Sequence, residues 1–179
     1  MVEPLQVSAS DDARSRHYAL VLERIEALLA DEDDWTAAMA TVACELHHGF
    51  GYFHWTGFYR VVGHQTLVVG PYQGGHGCLR IAFSRGVCGK AASSRLTQRV
   101  DDVHAVADHI ACSATTRSEI VVPVLSAAGE LLAVLDVDSD LPAAFGALDQ
   151  LHLEQLCARL GARYGMDPPA MAHPNLRAK

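Results

Sequence analysis

Six residues in the middle of the chain carry side chains that can do more than pack: Cys78, Cys88, Cys112, Glu119, Asp136 and Asp138. A thiolate is a soft nucleophile and a redox group, and a carboxyl group gives or takes a proton, so together they could run thiol chemistry with acid–base help. Cys78 follows the glycine-rich loop QGGHG. Cys88 lies between Gly86 and Gly89 at a predicted helix start, where free backbone N–H groups favour a thiolate. Cys112 sits in HIACSATTRSEIV, a run of small and polar residues, seven positions before Glu119. Asp136 and Asp138, two apart in LDVDS, project from one face of a strand, while Leu135 and Val137 point the other way. Adjacent acids on one face repel, so one of them needs a raised pKa or a cationic partner. Taken singly, each residue also has a plain structural reading: a buried inert thiol, an exposed strand end, or the polar first residue of a strand.

The elements that must position these groups follow from periodicity. Residues 11–30 predict a helix, with Tyr18, Val21, Leu22, Ile25, Leu28 and Leu29 on one face. The acidic run Asp31–Asp34 ends it, and Asp34 is placed to cap a second helix that begins near Trp35 and carries Met39, Val42, Ala43 and Leu46. From Phe53 the period changes to two. FHWTGFYRVV and LVVGPYQG predict strands around a turn at Gly63-His64, CLRIAF a third, and residues 97–101 a fourth. A short helix is expected over residues 90–95 and a long loop over residues 102–118. EIVVPVL and ELLAVLDVD then form a hairpin around Ala128-Gly129. A last helix near residues 146–165 carries Leu153, Leu156, Cys157, Leu160 and Tyr164 on one stripe. Residues 1–10 and 167–179 are expected to be flexible ends around one α+β domain, 11–166, with a central antiparallel sheet flanked by N- and C-terminal helices.

Composition narrows the function classes. Of 179 residues half are hydrophobic and 20% are charged, the profile of a soluble globular protein. No apolar stretch reaches the roughly 20 residues of a membrane span, and the start lacks an apolar signal-peptide core, so a cytoplasmic protein is expected. With net charge −7 and its fourteen basic residues scattered, the chain offers no obvious nucleic-acid or anionic-membrane surface. The five cysteines are an odd number and include no C-x-x-C pair. Cys44 and Cys157 fall on apolar helical faces and are expected in the core. His109 and Cys112 have H-x-x-C spacing with His104 upstream, but no second pair of ligands matches them, so no metal or cofactor is expected.

HWTGFY, LVVGPYQG, CLRIAFSRGVCG, DDVH, HIAC, SEIVVPV and LDVDS occur, over residues 50–140, in the order found in the free methionine-(R)-sulfoxide reductases, single domains of the GAF type, and the chain resembles that family. The resemblance implies that Cys78, Cys88 and Cys112 carry redox chemistry. Cys112 would be the nucleophile and Cys78 the resolving thiol, with Cys88 as an alternative or relay. It implies that Glu119, Asp136 and Asp138 are substrate-site carboxylates and that Trp55 and Tyr59 are pocket aromatics. The chain departs from the family at Ser113, where an aspartate is common, and at Val106-Ala107-Asp108, where F-P-G is common. The implied substrate is free methionine sulfoxide and the implied reductant is thioredoxin-like, with self-association into a homodimer left open. The chemistry is self-consistent: a sulfoxide is reduced by a soft nucleophile at sulfur and a proton at oxygen, and a sulfenic acid left on cysteine condenses with a second thiol. The rival readings are a non-enzymatic GAF module binding a small ligand, a thiol redox sensor without turnover, and a metal-storing module.

Overall fold

The structure is a computed structural model and describes residues 3–63, 65–105 and 115–165. Helix α1 spans Asp11–Leu28 and α2 Trp35–Gly49, each begun by a side-chain cap. Ser10 Oγ accepts from the Ala13 N–H, and Asp34 Oδ1 from the Ala37 N–H at 2.7 Å, as the acidic run before Trp35 suggested. Within the first ten residues Leu5 is held by two backbone hydrogen bonds, to Gly49 O and from Gly51 N.

Six strands follow: β1 Trp55–Val61, β2 Thr66–Gln73, β3 Arg80–Ala82, β4 Gln98–Val100, β5 Ser118–Leu125 and β6 Leu131–Ser139. They form one antiparallel sheet in the order β3-β2-β1-β6-β5-β4. Between β3 and β4 lies α3, Gly86–Ser94, and α4, Ala147–Tyr164, closes the domain. The β5–β6 hairpin turns at Gly129, whose φ of 80° is one that side-chain-bearing residues rarely adopt.

The sheet is buried on both faces. Phe58, Ile120, Val122, Leu135 and Val137 pack against α1, α2 and α4. Tyr59, Val121 and Val134 pack with Val87, Cys88 and Ala91 of α3 on the other face. Each fully buried aliphatic side chain of this kind contributes roughly 1.5–3 kcal/mol. The larger cluster therefore anchors the sheet, and the smaller face, under a nine-residue helix, is where polar groups are accommodated. The expected α+β architecture, a central antiparallel sheet with N- and C-terminal helices, is present, with two local corrections. The short helix starts at Gly86 rather than near Lys90, which puts Cys88 inside its first turn. Cys44 is only half-buried, its Sγ 3.7 Å from His48 Nδ1, whereas Cys157 does lie in the core.

Candidate active site

Strand alternation brings the site together. On β1, Trp55, Gly57 and Tyr59 share one face; on β6, Asp136 and Asp138; on β5, Glu119 and Val121. The registers align these residues in rows across three strands. Glu119 lies opposite Asp138, which lies opposite Trp55; Val121 lies opposite Asp136, which lies opposite Gly57. Trp55 stacks on Tyr59 and on Tyr72, with centroids 5.7 and 5.3 Å apart, and donates from its indole nitrogen to Gly75 O at 3.1 Å. Gly57 makes this wall possible. A Cβ there would stand 2.4 Å from Tyr72 Cβ and 2.7 Å from the Trp55 ring.

The carboxyls face this wall from a nearly dry setting. Glu119 and Asp136 are each 5% exposed, and their side chains hydrogen-bond each other. Cys88 Sγ lies 3.2 Å from Asp136 Oδ2 and 4.0 Å from Glu119 Oε1. Burial pushes the Glu119 carboxyl well above its usual range, and Asp136 and Asp138 add to the shift. Burial does the same to Asp138, with Asp136 and Asp140 contributing. Asp136 is pushed up to about 7 by burial, partly offset by the hydrogen bonds to Cys88 and Glu119. The three therefore share protons near neutral pH instead of ionising together. One oxygen of the cluster, Asp136 Oδ1, is buried with no hydrogen-bond partner among the described residues.

Cys88 differs from the sequence expectation. A helix start should favour its thiolate, yet burial, reinforced by Asp136 and Glu119, pushes the thiol well up. Two carboxyls within 4.0 Å outweigh the partial charge of one short helix. Tyr59 is raised too, by burial first and then by Asp136, Cys88 and Asp138. Its hydroxyl meets the main chain of Cys78 in a hydrogen bond. Cys78 is disulfide-bonded, while Cys44, Cys88 and Cys157 are free thiols. Cys112 lies outside the described residues, as do His109, Ser113 and Val106-Ala107-Asp108.

A cleft of about 330 Å³ adjoins the Asp138–Trp55 row, walled also by His54, Gly75, His76 and Thr116. The sequence reading did not single out those two histidines. Their signal was position: His54 immediately precedes the first site residue of β1, and His76 lies in the QGGHG loop that Trp55 holds. Cys88, Glu119 and Asp136 present donor atoms within 4.8 Å of one another, and they form the group among the described residues that could hold a cation.

No family model matches the chain. Individual proteins do. The chain is 39% identical over 147 residues to the free methionine-R-sulfoxide reductase of Escherichia coli, covering 82% of this chain and 88% of that one. The Saccharomyces cerevisiae protein of the same name is 37% identical, with 73% and 76% covered. The crystal structure of the free methionine-R-sulfoxide reductase of Neisseria meningitidis in complex with its substrate superposes with a TM-score of 0.81 at 45% identity, covering 92% of this chain and 96% of that one. With relatives this similar over most of its length, and with the GAF fold beneath the site, the chain belongs to the free methionine-R-sulfoxide reductase family.

Proposed function

We propose that the protein reduces free L-methionine (R)-sulfoxide to L-methionine at the carboxyl cluster, with Cys112 as nucleophile. The observation that carries this reading is the row Glu119–Asp138–Trp55, which sets proton-sharing acids beside an aromatic wall at the edge of a cleft. An ionised member of the cluster holds the substrate ammonium, and the aromatic wall takes the methyl end. A peptide-bound methionine sulfoxide has lost that ammonium charge, so the cluster selects the free amino acid.

The Cys112 thiol passes two electrons to the sulfoxide. Its sulfur attacks, a protonated carboxyl supplies a proton to the sulfoxide oxygen, and methionine leaves with Cys112 as sulfenic acid. A second thiol then displaces water from that sulfenic acid, forming a disulfide. Cys78 is assigned this step, a reading supported by its disulfide-bonded state beside a free Cys88. A dithiol protein of the thioredoxin type reopens the bond by exchange. No bound cofactor enters the cycle.

The test is to incubate the purified protein with dithiothreitol and each epimer of free methionine sulfoxide, then quantify methionine. Methionine from the R epimer, little from the S epimer, and none from either with Cys112→Ser is the expected pattern. Undiminished turnover by Cys112→Ser removes the nucleophile assignment, and no turnover by the wild type removes the reductase reading.

A further inference from the structure

We propose that Cys88 is a positioning residue, not an exchanging thiol: from the first turn of α3 it donates a hydrogen bond to Asp136 and so fixes how that carboxyl faces the substrate. This deepens the reductase reading and rests on it for the identity of the ligand. The geometry assigns the two oxygens of Asp136 different partners. Oδ2 accepts from Cys88 Sγ at 3.2 Å. Oδ1 is buried and has no partner among the described residues, which leaves it to accept from the substrate ammonium. Without the thiol, Asp136 would keep only its hydrogen bond with Glu119, and the carboxyl could turn about that single contact.

The helix that carries Cys88 is held close to the sheet. Gly89 lets α3 approach the end of β3 so tightly that a Cβ there would stand 2.4 Å from Ala82 O. Cys88 is 4% exposed and surrounded by Val87, Ala91 and Val121. A resolving thiol must reach its partner sulfur and ionise. Here the thiol is enclosed, and the neighbouring carboxyls keep it protonated. Those same properties suit a neutral donor. Asp136 is faced by Cys88 from α3, Glu119 from β5, Tyr59 from β1 and its own neighbour Asp138 on β6, so the thiol is one of a small set of groups that set its titration.

The experiment compares wild type, Cys88→Ala and Cys88→Ser. Asp136 is followed by carbon NMR of labelled aspartate carboxyls, assigned with Asp136→Asn, and methionine release is followed as a single turnover across pH. Removing the donor in Cys88→Ala should raise the Asp136 titration by roughly one pH unit, the scale of one hydrogen bond, and move the matching limb of the pH–rate profile upward. Cys88→Ser, which keeps a donor, should bring both back to wild type or below. An unshifted titration in Cys88→Ala, a serine variant that behaves like alanine, or a Cys88 disulfide formed on oxidation with one equivalent of substrate would each overturn the proposal. The NMR readout needs no turnover, so failure of the reductase reading would appear separately, as a wild type that makes no methionine.

Discussion

A single buried acid and a buried group of three lie on opposite sides of the sheet and are treated in opposite ways. Asp149, fully buried in the first turn of α4, accepts from Arg14 Nη1 at 2.5 Å, Tyr18 OH at 2.9 Å, Tyr52 OH at 2.6 Å and the Gly146 N–H at 2.7 Å. Its charge is paired and both oxygens are occupied by donors of the protein itself. Glu119, Asp136 and Asp138 face one another and a thiol, and no cation among the described residues offsets the upward shift of Asp136 or Asp138. Desolvation is answered inside the fold in the first case and left to proton sharing in the second. One acid holds helices together through donors of the protein itself; the others are held back from ionising by burial and by one another.

The largest effect should come from breaking the satisfied group. Asp149→Asn leaves the Arg14 guanidinium buried without its counter-charge and should lower the unfolding free energy by about 3–5 kcal/mol, measured by urea denaturation. A loss below about 1 kcal/mol would erase the distinction between the two groups. Amide replacements in the other group should act on turnover instead. At the proton donor the loss in kcat should be about 100-fold or more; at an ammonium partner the change should fall mainly in KM. If Glu119→Gln, Asp136→Asn and Asp138→Asn all leave both constants within about twofold, less than roughly 0.5 kcal/mol, the acids are only a polar strand edge.

The pH dependence of stability follows from the same shifts. Asp136 rises from its ordinary value near 3.8 to about 7 in the fold. The folded state therefore binds this proton more tightly than the unfolded chain does. Stability is fully present below about pH 4 and lost as pH rises through about 7, by an amount on the order of a few kcal/mol at most. Unfolding curves from pH 4 to 8 should show this slope in the wild type and a shallower one in Asp136→Asn. The smallest effect belongs to an exposed acid. Asp12, paired with Arg16 one turn along α1 with both side chains largely in solvent, should change stability by less than about 0.5 kcal/mol when replaced by alanine.

Much of the unsatisfied group was legible because a strand repeats every two residues. LDVDS put Asp136 and Asp138 on one face, and the hairpin turning at Gly129 brought Glu119 beside them. The state of Cys88 was not legible. Gly86 and Gly89 look like breaks before a helix, but Gly86 begins α3 and Gly89 provides its contact with β3. The acids that add to burial in keeping the thiol protonated are 31 and 48 positions away in sequence. The satisfied group went unread altogether. Arg14 and Tyr18 come from α1, Tyr52 from the segment before β1 and Asp149 from α4, three stretches far apart in sequence. Their only local sign was an acid one turn before Leu153 on the apolar stripe of the last helix.

Strand order has a consequence for how the two halves of the chemistry should exchange with deuterium. The acids sit on β5 and β6, and Trp55 and Tyr59 on β1, strands that are each hydrogen-bonded on both sides. Cys78 stands just outside β3, a three-residue strand at one margin of the sheet. Amides of interior strands open only with much of the fold, whereas short marginal strands fray on their own. Proton donors would then keep their spacing through every cycle, while the sulfur assigned to close and reopen a disulfide rides on backbone that can peel away and return.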